Sequence, residues 1–568
     1  MHTRQFIALS LSGLLIGVTT SGSAQTPPDA GALQRETQRR LQAPRPADDT
    51  VRVPSARPMN EHTQASRVTV RRLIIDGATL LPVAELQAQI ADLVDQSLTF
   101  AELEHAAQRI AAYYREHGWF VRVYLPPQDV TDGTVRLQVV EGRYEGSRLE
   151  NQGRRANGEA VRRVVTHRLK VGEPLSAADL ERGLLLANDL PGIRANGLLK
   201  AGETHASTRL LVHVDDTPFI TGDLGLNNHG VKSTGVIQAV GGLALNNLAG
   251  IGDQLSLRAL AAENIYSLAL RYGLPLGTDG WRLGLHLTTL SYRLGDRYKN
   301  LDAEGQAHTG GVSLSYPIIR RSSHNLYFST GYERRRYEDD SLGAPVHRHD
   351  VDALTLGLTG ELRDSLGGGG LSWGGLQLTR GRLHLRDVAG DPATDAAGPR
   401  TQGEYSKLGL QLNRQQALGG SGWQFLTALA GQWSKDNLGS SERFSLGGPD
   451  RVRAYPVNEA NGDQGLLVKL ELQRELGQGW QVIAFYDTGR VRQHAHTWAG
   501  WQGGGKPPNS YRLSGAGVGL NWRHDGWQLA ASAAAPIDGN PGADANGHNG
   551  DGSKSSSTRY WLSLSRVF

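Results

Sequence analysis

The sequence predicts a transmembrane β-barrel of about sixteen antiparallel strands, preceded by two small α+β units and an N-terminal helix. Three observations carry this. From Pro218 onward apolar residues alternate with polar, charged or glycine residues at a period of two, the pattern of a strand with lipid on one face and water on the other. No window after the N-terminus holds the roughly 18 unbroken apolar residues of a transmembrane helix, so a membrane role falls to a closed barrel. Only 39% of the 568 residues are hydrophobic, while 72 are glycine, which disfavours helical membrane bundles and ordinary enzyme cores alike.

Residues 1–24 read as a secretory signal: Arg4 supplies the charge, Phe6 to Val18 the apolar core, and Gly22-Ser23-Ala24 a small-residue cleavage site. Within residues 25–42, Ala32 to Gln42 carries good helix formers but only Leu33 and Leu41 on one side. Such a polar helix either frays in water or lodges in a hydrated cavity that supplies polar partners. Residues 43–66 include Pro44, Pro46, Pro54 and Pro58 and read as an extended linker. Its span of roughly 70 Å exceeds the ~40–45 Å of a bilayer with headgroups, so a plug tethered from the far side is geometrically possible.

Residues 67–142 follow a βααββ order. Val68 to Ile75 is a strand, Pro82 opens a helix holding Leu86, Ile90 and Leu93, and Phe100 to Tyr114 forms a second amphipathic helix. Trp119 to Leu125 and Thr134 to Val140 close the unit as strands. Residues 143–216 repeat the order with shorter helices: strand Tyr144 to Asn151, helices Glu159 to Leu169 and Ser176 to Leu190, strands Ile193 to Lys200 and Thr208 to Val214. Units of this kind have sheet edges able to accept an extended guest strand, or act as spacers at the barrel mouth.

Residues 217–568 hold strands of the ~9–11 residues that a tilted crossing needs. They begin near Phe219, Gly235, Gln254, Ile265, Trp281, Ala307, Asn325, Asp352, Trp373, Glu404, Trp423, Gly465, Trp480, Tyr511, Trp527 and Arg559. Trp281, Trp373, Trp423, Trp480 and Trp527 near strand starts suit an interface belt. Asn437 to Gly462, His494 to Ser510 and Asp538 to Ser557 are long connections for the outer side, while Gly277-Thr278-Asp279 and Gly477-Gln478-Gly479 are short periplasmic turns. Tyr560, Leu562, Leu564 and Phe568 share one face of the last strand.

Other chemistry is disfavoured. Lys plus Arg and Asp plus Glu stand at 60 to 56, with no basic stripe interleaved with aromatics for nucleic acid. Cysteine is absent, which excludes disulfides and thiolate metal sites. Gly370-Leu371-Ser372-Trp373-Gly374 matches G-x-S-x-G, but a strand follows instead of the required helix. His347 and His349 share a strand face without a third metal ligand in view. Arg334-Arg335-Arg336 reads as a solvated strand end, with binding of lipopolysaccharide phosphates as the alternative. No enzyme activity, cofactor or metal is expected.

The functional expectation rests on the loop Gly447 to Tyr455. Arg453 lies in a Gly/Pro-rich connection between two alternating stretches and needs an anionic partner, and Asp487 near a strand end offers one for bidentate pairing in the lumen. Val452-Arg453-Ala454-Tyr455 is similar to the Val-Arg-Gly-Tyr/Phe loop signature of the BamA/TpsB superfamily, with Ala454 where the family has Gly. Phe485-x-Asp487-x-Gly489 resembles its Phe-x-Asp-x-Gly strand signature. The two α+β units resemble POTRA domains, and the face ending in Phe568 resembles the C-terminal recognition pattern of bacterial outer-membrane proteins.

The whole mature chain thus looks like a TpsB transporter of two-partner secretion, of the ShlB/FhaC/HecB type. The resemblance implies a plug helix in 25–42, periplasmic POTRA-like domains that catch an unfolded β-helical TpsA-like exoprotein, and export without ATP. It also implies contacts with outer-membrane lipid and lipopolysaccharide, and with the barrel assembly machinery during biogenesis. An assembly factor inserting other barrels and a passive porin remain the alternatives.

Overall fold

The computed structural model describes residues 27–41, 67–204, 207–420, 422–502 and 507–568. The expected signal at 1–24 and linker at 43–66 lie outside the described residues. The N-terminal helix α1 spans Ala30–Arg40, opened by the Asp29 carboxylate, which accepts from the Ala32 amide at 2.8 Å.

The expected strand Val68 to Ile75 is two strands, β1 (Arg67–Thr69) and β2 (Arg72–Asp76). Between them Val70 and Arg71 change partners, their amides donating to Gln96 O at 2.9 Å and Gly133 O at 2.8 Å. Helix α2 (Val83–Ala88) stops short of Leu93, giving way to a 3-10 turn at Ala91–Leu93. β3 (Ser97–Thr99) pairs with β1 and leads into α3 (Phe100–Glu116). Thr99 and Glu102 form a reciprocal capping box there, satisfying two otherwise orphaned amides. β4 (Val121–Tyr124) and β5 (Thr134–Glu141) complete the sheet in the order β2-β5-β4. Leu103, Ala107, Ile110 and Tyr114 of α3 pack on Leu73, Ile75, Val135 and Leu137, and each fully buried Leu or Ile contributes about 1.5–3 kcal/mol.

Glu141 closes this unit. Its carboxylate accepts from the amides of Thr79 at 2.7 Å and Leu80 at 2.8 Å, from Tyr114 Oη at 2.9 Å, and from the Thr79 hydroxyl. Partial burial pushes its pKa up, but these donors outweigh it and hold the group below its usual range. A depressed carboxylate stabilises the fold above its unfolded pKa, and that contribution disappears as pH falls through the folded value. Glu141→Gln is therefore expected to lower the unit's stability by about 1 kcal/mol at pH 7 and to converge on the parent as pH falls through the depressed folded value. Urea unfolding over a falling pH series checks this.

The second unit comprises β6 (Arg143–Asn151), α4 (Gly158–Val165), α5 (Ala177–Asn188), β7 (Ile193–Ala201) and β8 (Ser207–Asp216), with sheet order β6-β8-β7. Asn157 and Ser176 cap the two helices, and Gly183 lets α5 lie directly on the Val165 carbonyl, where a Cβ would overlap it.

Sixteen antiparallel strands then close a barrel. They open with β9 (Ile220–Asn227), β10 (Gln238–Asn246), β11 (Gln254–Ala262), β12 (Ile265–Leu276) and β13 (Trp281–Arg293). The tall wall is β14 (Glu304–Arg320), β15 (His324–Ser341), β16 (Ala344–Asp364) and β17 (Gly370–Leu385), followed by β18 (Gly403–Ala417) and β19 (Trp423–Ser434). Two short strands, β20 (Phe444–Ser445) and β21 (Asn461–Gly462), pair with each other outside the wall sequence. The barrel ends with β22 (Gln464–Gly477), β23 (Trp480–Arg492), β24 (Ser510–His524), β25 (Trp527–Pro536) and β26 (Arg559–Val567), which pairs with β9.

Leu354, Leu356 and Leu358 of β16 and Leu376 and Leu378 of β17 stand exposed on the outer face, as a lipid-facing band requires. Strand lengths depart from expectation: β14 to β17 run from 16 to 21 residues, overshooting the crossing. β16 begins at Ala344, not Asp352, because Leu342 and Gly343 both take positive φ, 53° and 74°, in a two-residue hairpin turn. A leucine there gives no turn signal. The seam β26–β9 is short by contrast, with five paired residues from Ser563↔Asn227 to Val567↔Asp223. Trp281, Trp423, Trp480 and Trp527 share the outward face, but Trp373 pairs with Glu361 and Asn413 and so faces the lumen, out of phase with Leu376 and Leu378.

The second unit is bolted to the short turns. Arg168 donates to the Asp279 carboxylate at 3.2 and 3.3 Å, Arg182 to Pro317 O at 2.9 Å, and Arg320 forks onto Asp189 at 2.8 and 2.7 Å.

Candidate functional site

The connection between β19 and β22 folds inward. Leu446, Val452 and Tyr455 are fully buried against Leu467, Phe485, Val491 and Leu513 on the inner faces of β22 to β24. Glycines in the wall make the room: a Cβ on Gly489 would overlap Leu446, and one on Gly515 would overlap the Cβ of Ala454. Ala454 is not among the described residues with positive φ, so the side chain that replaces the family's glycine is accommodated by the wall, without backbone strain.

Arg453 and Asp487 meet in this contact. The guanidinium donates through Nε to Asp487 Oδ2 at 2.8 Å and through Nη2 to Oδ1 at 2.7 Å, and the Arg453 amide adds a bond to Oδ2 at 3.1 Å. The guanidinium also lies 3.4 Å from the centre of the Phe485 ring, and Asp487 is fully buried. A planar fork suits such a pair because both carboxylate oxygens are satisfied in one orientation. Tyr455 donates to Asp538 O at 2.7 Å, tying the same loop to the connection before β26.

Two partners escaped the sequence reading. Glu471 Oε1 lies 2.9 Å from Arg453 Nη2, with Lys469 3.7 Å from the same oxygen, and Trp561 Nε1 donates to Arg453 O at 2.8 Å. The first was recoverable. Pairing symmetric about the turn at Gln478 puts Lys469 opposite Asp487 and Glu471 opposite Phe485. Trp561, on β26 more than a hundred residues away, gave no local signal.

Filling the Gly515 gap tests the contact. Gly515→Val is expected to undock the loop at a cost of about 1–3 kcal/mol, whereas Gly409→Ala, whose new Cβ approaches nothing nearer than 3.9 Å, should be silent. Protease sensitivity of the loop in intact cells separates the two.

Helix α1 occupies the lumen beside this loop. Its buried apolar residues are Ala30 and Leu33, with Leu41 just beyond its end. Polar contacts do the rest. The Ala30 amide donates to Asp339 Oδ1 and Gln34 Nε2 to Thr309 Oγ1, both at 2.8 Å. Arg35 reaches Ser440 O, Asn458 Oδ1 and Asn461 Oδ1, Arg39 reaches Ser445 Oγ, and Arg40 reaches Asp450 Oδ2 and His229 Nδ1. Among the described residues, most of these bonds end on the inserted loop, so the loop is the socket for the helix.

The remaining expected residues lie apart. Tyr560, Leu562, Leu564 and Phe568 are exposed on the outer face of the seam strand, and the Phe568 amide donates to Gly222 O at 2.9 Å. His347 Nδ1 pairs with Asp391 Oδ2 at 2.7 Å while His349 stacks on Tyr337. Among the described residues no cluster of metal-binding side chains forms there.

Residues 206–522 match the family model of haemolysin secretion/activation proteins ShlB/FhaC/HecB, and residues 68–142 match the ShlB-type POTRA domain. The chain is similar to the heme/hemopexin transporter protein HuxB of Haemophilus influenzae, 26% identical over 100% of both chains. It is similar also to the outer membrane transporter CdiB of Dickeya dadantii, 25% identical over 81% of each, and to the hemolysin transporter protein ShlB of Serratia marcescens, 24% identical over 86% of this chain and 90% of that one. Among solved structures, CdiB from Escherichia coli superposes with a TM-score of 0.64 at 20% identity, covering 90% of this chain and 93% of the other. BamA from Haemophilus ducreyi lacking POTRA domains 1–3 gives 0.53 at 15% identity, covering 89% and 100%.

Proposed function

We infer, from a chain that belongs to the haemolysin secretion/activation family ShlB/FhaC/HecB, an outer-membrane translocator that takes an unfolded partner exoprotein from the periplasm to the cell surface. The observation that carries this reading is a polar helix seated in the lumen on a loop that is itself riveted to the wall. A porin has no use for a removable cork. At about 1 kcal/mol net per hydrogen bond, set against the ordering of the helix, α1 is held by a few kcal/mol. Driving such an equilibrium from 1:99 to 99:1 takes about 5.5 kcal/mol, which partner binding supplies without ATP.

The chain divides accordingly into an export signal (1–24), plug (25–42), tether (43–66), two periplasmic POTRA-like domains (67–142 and 143–216) and barrel (217–568). The Val452-Arg453-Ala454-Tyr455 loop and the Phe485, Asp487 and Gly489 strand form its fixed socket. Arg334, Arg336, Arg380 and Arg382 point outward above the apolar band, half or more exposed, and meet lipopolysaccharide phosphates there. The apolar row Tyr560, Leu562, Leu564 and Phe568 engages the barrel assembly machinery during insertion. The relatives' names include hemolysin and heme/hemopexin transporters, and the partner is a large β-helical exoprotein of that kind. Co-expression with such a protein encoded beside this chain tests the reading: surface appearance that requires this protein supports it, and surface appearance in its absence refutes it.

A further inference from the structure

Between α1, the inserted loop and the wall from β13 to β19 lies a cavity of ≈ 420 Å³. Its lining holds six cationic residues, Arg35, Arg39, Arg335, Lys407, Arg443 and Arg451, against the carboxylates of Glu333 and Glu442. Both carboxylates are already matched: Glu333 lies 2.6 Å from Arg335, and Glu442 lies 2.8 Å from Lys407 and also contacts Arg335. Four guanidiniums remain.

Arg39 approaches Glu36 only at 3.4 Å, and Arg40 holds that acid at 2.8 Å. Arg443 is 3.4 Å from Asp463, whose oxygens accept from the amides of Leu438 at 3.0 Å and Ala495 at 2.8 Å. Among the described residues Arg35 and Arg451 have no carboxylate partner. Arg35 donates to a carbonyl and two side-chain amides, with its Nε buried and unpaired. Arg451 donates to Ser445 O at 2.6 Å and lies over the Phe444 ring at 4.5 Å. Two of these cations belong to the helix and two to its socket, so the excess charge sits across the joint that must open.

We propose that the cavity binds a small oxyanion of the phosphate or sulfate class, bridging Arg35 and Arg39 of the plug to Arg443 and Arg451 of the loop. Guanidinium forks match pairs of tetrahedral oxyanion oxygens and favour them over a halide. The volume exceeds the ≈ 30 Å³ share of one water many times over, leaving room for a hydrated tetrahedral ion. A ligand that binds only the seated state favours it by a factor of one plus the ratio of its concentration to its Kd. The anion thus acts as a latch, a role that rests on α1 leaving the pore during export.

The test uses the purified full-length chain in detergent and in planar bilayers at constant ionic strength, with chloride replaced by inorganic phosphate. Titration calorimetry is expected to show saturable phosphate binding, and channel openings should become about elevenfold rarer at ten times the Kd. Arg451→Gln should abolish both responses, and Arg451→Lys, which keeps the charge but loses the fork, should weaken binding. Arg566→Gln on the outer face should change neither. Absence of phosphate binding, or equal binding by Arg451→Gln of parental heat-modifiable migration, overturns the site. Binding lost in Arg451→Gln, with no openings at any concentration, supports the site and removes instead the plug motion behind the translocation reading.

Discussion

Replacing Arg453 by alanine is expected to abolish most secretion of the partner while leaving the barrel inserted. The guanidinium is buried against Asp487 and Glu471 and holds the former through both oxygens. Removing it strands the fully buried Asp487 carboxylate and leaves Glu471 with Lys469, 3.7 Å away, as its cation, and breaking a buried pair in this one-sided way costs about 3–5 kcal/mol. That shifts the docked loop toward release by a hundredfold or more, at about 1.4 kcal/mol per factor of ten. The barrel wall keeps every one of its strand pairs, so heat-modifiable migration and membrane fractionation should be unchanged. Because α1 sits on the same loop, spontaneous channel openings should rise. Immunodetection of the surface-exposed partner, beside the barrel's own signal in the same membranes, reads the two effects separately. Secretion at the parental level would remove the assigned role of the pair.

Deleting Ala30 to Arg40 is expected to give the largest electrical effect. The helix is a cylinder about 10–12 Å across with its side chains, lying in a sixteen-strand lumen of a size that otherwise leaves an aqueous channel. Its hydrogen bonds to the wall proper, at Asp339 and Thr309, and the apolar cluster that Ala30 and Leu33 share with wall residues such as Leu290 and Tyr292 lie outside the barrel's own hydrogen-bonded closure. The variant should therefore assemble and conduct steadily, with brief flickers replaced by long-lived openings severalfold larger. Planar-bilayer recording checks this. An unchanged conductance would mean that the inserted loop, not the helix, seals the pore.

Much of this architecture was legible beforehand, and the reason is periodicity. A strand that separates lipid from water must alternate, so all sixteen barrel strands announced themselves, and Gly-Gln-Gly at 477–479 marked a short turn. Alternation is weaker in telling which phase is outside when small residues intervene, as at Gly374-Gly375 beside Trp373. It also says nothing about how far a strand rises past the membrane, which for β16 depended on a turn at Leu342 with no turn-forming residue at its first position. The Arg453–Asp487 pair was legible through two motifs and one resemblance. The seat of α1 was not, because its partners Asp339, Thr309, Asn458 and Asn461 lie hundreds of residues away and are ordinary polar side chains until the barrel closes around them. Val68 to Ile75 misled for a related reason: its apolar run is continuous although its hydrogen-bond partner changes halfway.

The central claim is that the helix moves while the loop stays. Its most direct measurement exploits the absence of native cysteine. A Cβ at Gly31 would lie 3.2 Å from the Ser441 Cβ, near the 3.5–4.5 Å separation of a disulfide, so Gly31→Cys with Ser441→Cys should tie the helix to its socket. Secretion of the partner by this variant is predicted to fall to background when the bond forms and to recover on addition of reductant. Full secretion by chains shown to carry the bond would contradict the account.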